Sequence, residues 1–129
     1  MKKLLFLLIG LICFFALTGC EKAVTTKMKA TLSEETNEGK KITTTLEVVF
    51  TNDVVSSVKE TRAFGDKKVA EQYYDLIKSL DSKNSNIKIT KSGNRVTEEY
   101  QKVNSTYKYY GMSKMGLTST LENSGWKVE

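Results

Sequence analysis

The chain has no histidine and no proline, and only two cysteines and two arginines among its 129 residues. Without histidine, the commonest general base at neutral pH is missing, and with it the usual serine triads and most transition-metal sites. The eight glycines are scattered, and none falls into G-x-G-x-x-G or a Walker run, so no phosphate loop is present. Turns must be built from Gly, Asn, Asp and Ser, and no Ser/Gly/Pro-rich stalk or internal repeat divides the chain. The net charge of +5 is modest and its lysines are dispersed, which argues against nucleic acid as a partner; a nucleic-acid surface gathers Lys and Arg on one stripe.

What is present begins with a leader. Met1-Lys2-Lys3 is a short basic region, and Leu4 to Leu17 is an apolar run of the length of a secretory signal, shorter than a bilayer-spanning helix. The run ends in Leu17-Thr18-Gly19-Cys20, the pattern [LVI]-[ASTVI]-[GAS]-C of a lipobox. Small residues let an extended backbone enter a membrane-embedded peptidase, and the thiol is nucleophilic enough to receive a diacylglyceryl group. The expectation is cleavage after residue 19, with Cys20 carrying diacylglycerol and an N-acyl chain that tether the protein to the bilayer. Each buried methylene contributes about 0.8 kcal/mol, so two or three chains hold firmly. The alternative is a membrane helix from Leu4 with a chance cysteine at its end. Cys13 lies inside the leader, so the mature chain has no further thiol for a disulfide, a metal or a nucleophile. Its 18 basic and 15 acidic residues leave a net charge of +3, suited to a domain beside an anionic lipid surface.

Residues 20–26 serve as acylated cysteine and short tether, and residues 27–129 as one domain. Alternation places Met28, Ala30 and Leu32 on one face of a first strand, then Ile42, Thr44, Leu46, Val48 and Phe50 on one face of a second. Asn37-Glu38-Gly39-Lys40 and Asn52-Asp53 supply the turns, and Val54 to Arg62 completes a meander in which Ser56 falls awkwardly on the inward phase. Asp66 is placed to cap a helix whose apolar stripe reads Val69, Tyr73, Leu76, Ile77 and Leu80. The polar run Asp81 to Asn86 ends it. Ile87 and Ile89 open a second hairpin that turns at Ser92-Gly93-Asn94 and returns over Val96 to Val103. Residues 104–110, "NSTYKYY", match neither period; their Asn104-Ser105-Thr106 sequon is read as chance. Ser113 caps a last helix with Leu117 and Leu121 inward. Gly125 stands where a left-handed C′ residue belongs, which makes Trp126 a clamp on Leu121. The alternative for Trp126 is an exposed aromatic for a ligand. The fold class is therefore α+β, an antiparallel sheet of about five strands in the order β-β-β-α-β-β-α with two helices packed on it.

This order behind a lipobox resembles the YehR-like family of small bacterial lipoproteins. The similarity is carried by "TLEVVFTNDVVSSVKETRAF", residues 45 to 64, and by "GMSKMGLTSTLENSGWKVE", residues 111 to 129, where a capped helix runs into Gly125-Trp126-Lys127. The resemblance implies a fold and an extracytoplasmic address, and brings no catalytic residues.

Carboxylates remain to be weighed. Glu98 and Glu99 are neighbours on a strand and so point to opposite faces, which prevents them from acting as an acid/base pair. Glu34-Glu35 flank a turn and lack the oxygen pattern of a calcium site. The tyrosines Tyr100, Tyr107, Tyr109 and Tyr110 carry the only functional colour, since such rings suit surfaces with one dry and one wet end. Either Tyr100 faces the core while the others cover the sheet edge, or Tyr107, Tyr109 and Tyr110 form a partner surface. The expected protein is a monomeric, non-catalytic accessory domain without cofactor or metal. It sits anchored through Cys20 on the outer face of a cell membrane, of Gram-positive type rather than in a periplasm, and meets a membrane or cell-envelope protein. The alternatives are a small-ligand-binding lipoprotein and a phage-exclusion or immunity-type protein that blocks a membrane partner.

Overall fold

The computed structural model describes residues 23–81 and 86–129. Leu17, Thr18, Gly19 and Cys20 lie outside the described residues, as do positions 82–85 of the polar run after the first helix. None of the helices among the described residues is long and apolar enough to cross a membrane.

Three long strands, β1 (Thr25–Glu35), β2 (Lys41–Thr51) and β3 (Val54–Phe64), form the antiparallel meander. The expected alternation places Met28, Ala30, Leu46, Val48 and Phe50 at 3% exposure or less on the covered face. Asn52 and Asp53 both take positive φ, 51° and 60°, the pair of left-handed residues that a tight hairpin with matching twist requires.

Ser56 is awkward for a reason visible only in the register. Val49 pairs with Ser57 and Phe50 with Val55, so Ser56 is the extra residue of a β-bulge. The bulge resets the phase, which lets both Val55 and Val58 point into the core. The Ser56 hydroxyl donates to the Val49 carbonyl at 3.0 Å and lies 2.9 Å from the Thr51 hydroxyl. The bulge also frees backbone groups for another segment. Val103 N–H donates to the Ser56 carbonyl, and Val55 N–H donates to the Met112 carbonyl, both at 3.0 Å. Thus the two ends of the unassigned stretch are pinned to one irregularity in β3, and between them residues 104–111 run as consecutive turns.

Helix α1 (Lys67–Asp81) begins at Asp66, whose carboxylate accepts from Lys68 N–H at 2.8 Å and pairs with Lys40 at 2.8 Å. Its buried face is not the expected stripe. Ala70 and Ile77 are buried, with Val69, Tyr73 and Tyr74 partly so, whereas Leu76 and Leu80 are 56% and 71% exposed. At 100° per residue the burial centres on Ala70 and Ile77, roughly a fifth of a turn from the centre of the stripe. The charged positions Glu60, Arg62 and Glu98 lie against the buried side of the helix, where Tyr73 bonds to Arg62 and Glu98.

The second hairpin, β4 (Ile87–Ser92) and β5 (Arg95–Tyr100), joins the meander through β5 against β3. Helix α2 (Lys114–Asn123) is capped by the Ser113 hydroxyl, which accepts from Gly116 N–H at 3.1 Å, and from a distance by Asp53, which accepts from Lys114 N–H. Leu117 and Leu121 are buried as expected. The helix ends in the Schellman pattern: Trp126 N–H donates to the Leu121 carbonyl and Gly125 N–H to the Glu122 carbonyl, with Gly125 at φ 89°. Trp126 packs on the main core cluster. The turn then does more than clamp. Lys127–Val128 forms β6, which pairs with β1 at Ala30 and Thr31. The sheet therefore has six strands, in the spatial order β4-β5-β3-β2-β1-β6, rather than the expected five. A two-residue strand has no alternation to read and exists only because β1 offers it an edge.

Register also orders the open face. Lys29, Glu47, Lys59, Glu99 and Lys88 stand opposite one another in turn across five strands, so that every cross-strand neighbour in the row has the opposite charge. A parallel row of Thr31, Thr45, Thr61, Thr97 and Thr90 lies beside it. The open face is thus a solvated surface whose charges alternate in sign from strand to strand, and the covered face carries what remains to be explained.

Candidate functional site

The covered face has two apolar clusters. One lies under α2 and the tyrosine-bearing turns, the other under α1 around Phe64, Ala70, Ile77 and Val96. Between them, at strand positions whose phase is inward, stand Glu60 and Arg62 of β3 and Glu98 and Tyr100 of β5. Glu60 and Glu98 are direct cross-strand partners, each only 8% exposed. Like charges in such a pair repel, so the arrangement requires compensation.

The compensation is a connected network. Arg62 donates from Nη2 to Glu60 Oε1 at 2.8 Å and from Nη1 to the Tyr73 hydroxyl at 2.7 Å. The Tyr73 hydroxyl donates onward to Glu98 Oε1 at 2.8 Å, and the Tyr100 hydroxyl donates to Glu98 Oε2 at 3.0 Å. Arg62 also stacks over the Tyr73 ring, 5.0 Å from its centre. Burial works against the Arg62 charge, yet Glu60, Tyr73 and Glu98 together more than offset it and hold the guanidinium protonated above its ordinary range. Burial pushes the Tyr73 phenol well above 10, and its hydrogen bond to Glu98 adds to the shift. Tyr100 rises for the same first reason, with the Glu98 charge second.

The network opens onto a cavity of about 470 Å³, within the size range of small-molecule sites. Asp81 of α1, Lys102, Lys108 and Tyr107 complete its wall. Tyr107 packs against Tyr100, ring centres 4.8 Å apart, and meets Tyr109 edge-on at 5.6 Å. Its hydroxyl is shielded from solvent and makes no hydrogen bond among the described residues, the only such buried side-chain atom there. Burial, followed by the Glu60 charge, pushes this phenol up as well. A buried orphan hydroxyl costs about 1–3 kcal/mol, so its presence in a ligand-sized cavity calls for a reason. A wider depression of about 590 Å³ on the open face, lined by Glu47, Ser57 and Lys59, is bordered by none of the buried polar residues.

Of the sequence candidates, Tyr107 and Tyr109 are partly buried against the main core, and Tyr110 is 53% exposed. Tyr100 faces the core side of the sheet, as one of the two readings had it. Glu98 and Glu99 do point to opposite faces; the partner of Glu98 is Glu60, which sequence reasoning passed over. The available signal was a charged residue on the inward phase of each of two alternating strands, Glu60 between Val58 and Arg62, and Glu98 between Val96 and Tyr100. Among the described residues no three His, Cys, Asp or Glu side chains converge as a metal site would need. Glu34 and Glu35 are exposed at the end of β1.

Fold and site together define a small α+β domain with one antiparallel sheet, two helices on its covered face and a cavity between α1, the sheet and the tyrosine-bearing turns. No family model, curated protein or solved structure matches the chain.

Proposed function

We propose that this protein is a lipid-anchored, extracytoplasmic binding domain that holds a small polar ligand in the cavity between α1, the β3–β5 face and the tyrosine turns. The observation that carries the proposal is the buried network Glu60–Arg62–Tyr73–Glu98–Tyr100 opening onto a cavity of about 470 Å³. Buried charge adds little net stability, and hydrophobic replacement of such groups is often neutral or better. Convergent polar groups around a cavity are what ligand orientation requires. The proposed role is non-catalytic: the Tyr73 and Tyr100 hydroxyls both donate to Glu98, and the chain has no histidine to shuttle a proton.

The address rests on Leu17-Thr18-Gly19-Cys20 after a short apolar run, and the family on the YehR-like segments 45–64 and 111–129. Anchoring through Cys20 places the cavity beside the membrane, where captured ligand would be passed to or sensed by a cell-envelope partner. Tyr110, exposed where Tyr107 and Tyr109 are not, is the residue of the three available to such a partner.

Two measurements test this. Labelling with an alkyne fatty acid should mark the natural chain and not Cys20→Ala; labelling of neither removes the anchor. A thermal-shift screen of polar metabolite-sized compounds should give hits that raise Tm, with amide shifts centred on residues 60, 62, 98 and 107. Hits that map only to the open face would refute the cavity reading.

A further inference from the structure

The two carboxylates of the cavity are not treated alike. Arg62 lies 2.8 Å from Glu60, whereas Glu98 forms no ion pair with any described residue and is held by two phenol hydroxyls. Glu60 Oε2 likewise receives no hydrogen bond among the described residues, because Arg62 reaches Oε1 alone. The floor thus carries two carboxylates against one guanidinium. A buried carboxylate without a cation is costly, and the low local dielectric that makes it so strengthens any cation that enters.

Aromatic surface surrounds the same point. Tyr73, Tyr100 and Tyr107 all line the cavity, and an aromatic face attracts a cation through its negative quadrupole. Burial first, and then the charges of Glu60 and Glu98, disfavour phenolate at all three rings, with Arg62 opposing the shift at Tyr73. Lys102, Lys108 and Asp81 also line the cavity and can be met by the polar remainder of a ligand.

We infer that the cavity selects small organic cations, with an ammonium group seated between Glu98 and Glu60 against the tyrosine rings. This rests on the cavity being the binding site, and adds the sign of the ligand's charge. The carboxylate oxygens accept from the ammonium. The chemistry belongs equally to a free amine and to the amine of a lipid headgroup.

The test uses four probes that share one four-carbon chain and differ in charge: putrescine, γ-aminobutyrate, succinate and butanediol. Calorimetric titration of the mature domain should show an ammonium-bearing probe binding with a Kd at or below about 1 mM, at least tenfold tighter than succinate and butanediol. Glu98→Gln should weaken that binding by about tenfold or more, as expected for loss of a charge-assisted bond. Glu60→Gln should weaken it by a similar factor. That variant keeps the test decisive if Glu98→Gln folds poorly. Binding of succinate or butanediol as tight as that of the amines, with shifts at Tyr107, overturns charge selection and leaves the cavity reading standing. Absence of binding by either amine also overturns charge selection, and the metabolite screen then judges the cavity separately. Vesicles separate the two sources. Competition of putrescine by phosphatidylethanolamine vesicles, and not by phosphatidylglycerol vesicles, assigns the headgroup; no competition by either assigns a free amine.

Discussion

One sheet face in this domain supports two unlike interiors. Under α2, the inward positions of β1, β2 and the first half of β3 are Met28, Ala30, Leu46, Val48, Phe50, Val55 and Val58, closed by Leu117 and Leu121. A few residues further along β3, and across into β5, the same inward phase carries Glu60, Arg62, Glu98 and Tyr100. The first interior excludes water and is stabilised in proportion to apolar area. The second replaces water with a chain of hydrogen bonds whose net contribution to stability is small. The contrast shows where the domain's stability and its chemistry are separately located: the half that holds the fold together has no cavity chemistry, and the half with the chemistry contributes little to holding it.

The sharpest break of this contrast comes from the dry half. Phe50→Ala removes the largest fully buried side chain and should cost about 3–5 kcal/mol, read from the urea midpoint. In the polar half, Arg62→Met strips Glu60 of its cation; because the arginine side chain is still about one-third exposed, the loss should be about 1–2 kcal/mol. Replacing the whole set, Glu60→Leu with Arg62→Met and Glu98→Leu, should bring stability back to that of the natural chain or slightly above while abolishing cavity binding. A triple variant less stable than Arg62→Met alone would mean that the network is structural, and the comparison would fail.

Alkaline pH probes the same half without mutation. The folded pKa values of Tyr73, Tyr100 and Tyr107 all lie above the ordinary value of 10.0. A raised pKa means that the neutral phenol is favoured in the fold, so the stability it contributes is full below pH 10 and is lost as pH rises through the folded values. Phenolate absorbance from these three rings should appear together with loss of the fold, and Phe at each position should remove its share of that late signal. The smallest effect belongs to the end of the dry half: Ser113→Ala removes the cap on Gly116 N–H and should cost about 1 kcal/mol by chemical denaturation.

Local rules were legible from the chain alone where a signal repeats within a few residues. The alternation in β1 and β2, the left-handed turn at Asn52-Asp53, the caps at Asp66 and Ser113 and the Gly125 ending of α2 each depend on neighbours close in sequence, and each is present as read. Three features were not legible. The bulge at Ser56 depends on how β2 and β3 count against each other, β6 depends on an edge that only β1 supplies, and the buried face of α1 depends on how the helix docks on Phe64 and Val96. The site belongs with these. Glu60 and Glu98 are distant in the chain and ordinary in composition, and only pairing β3 with β5 sets the two carboxylates side by side.

By itself, then, the sequence determined an α+β chain with its turns, caps and core faces, because periodicity and capping are short-range physics. Tertiary structure alone decided that two inward glutamates become partners, that three tyrosines converge on them, and that a cavity is left between two dry clusters. Those outcomes follow from strand register and from the bulge that pins the tyrosine turns, and register is a relation between segments that no single segment carries.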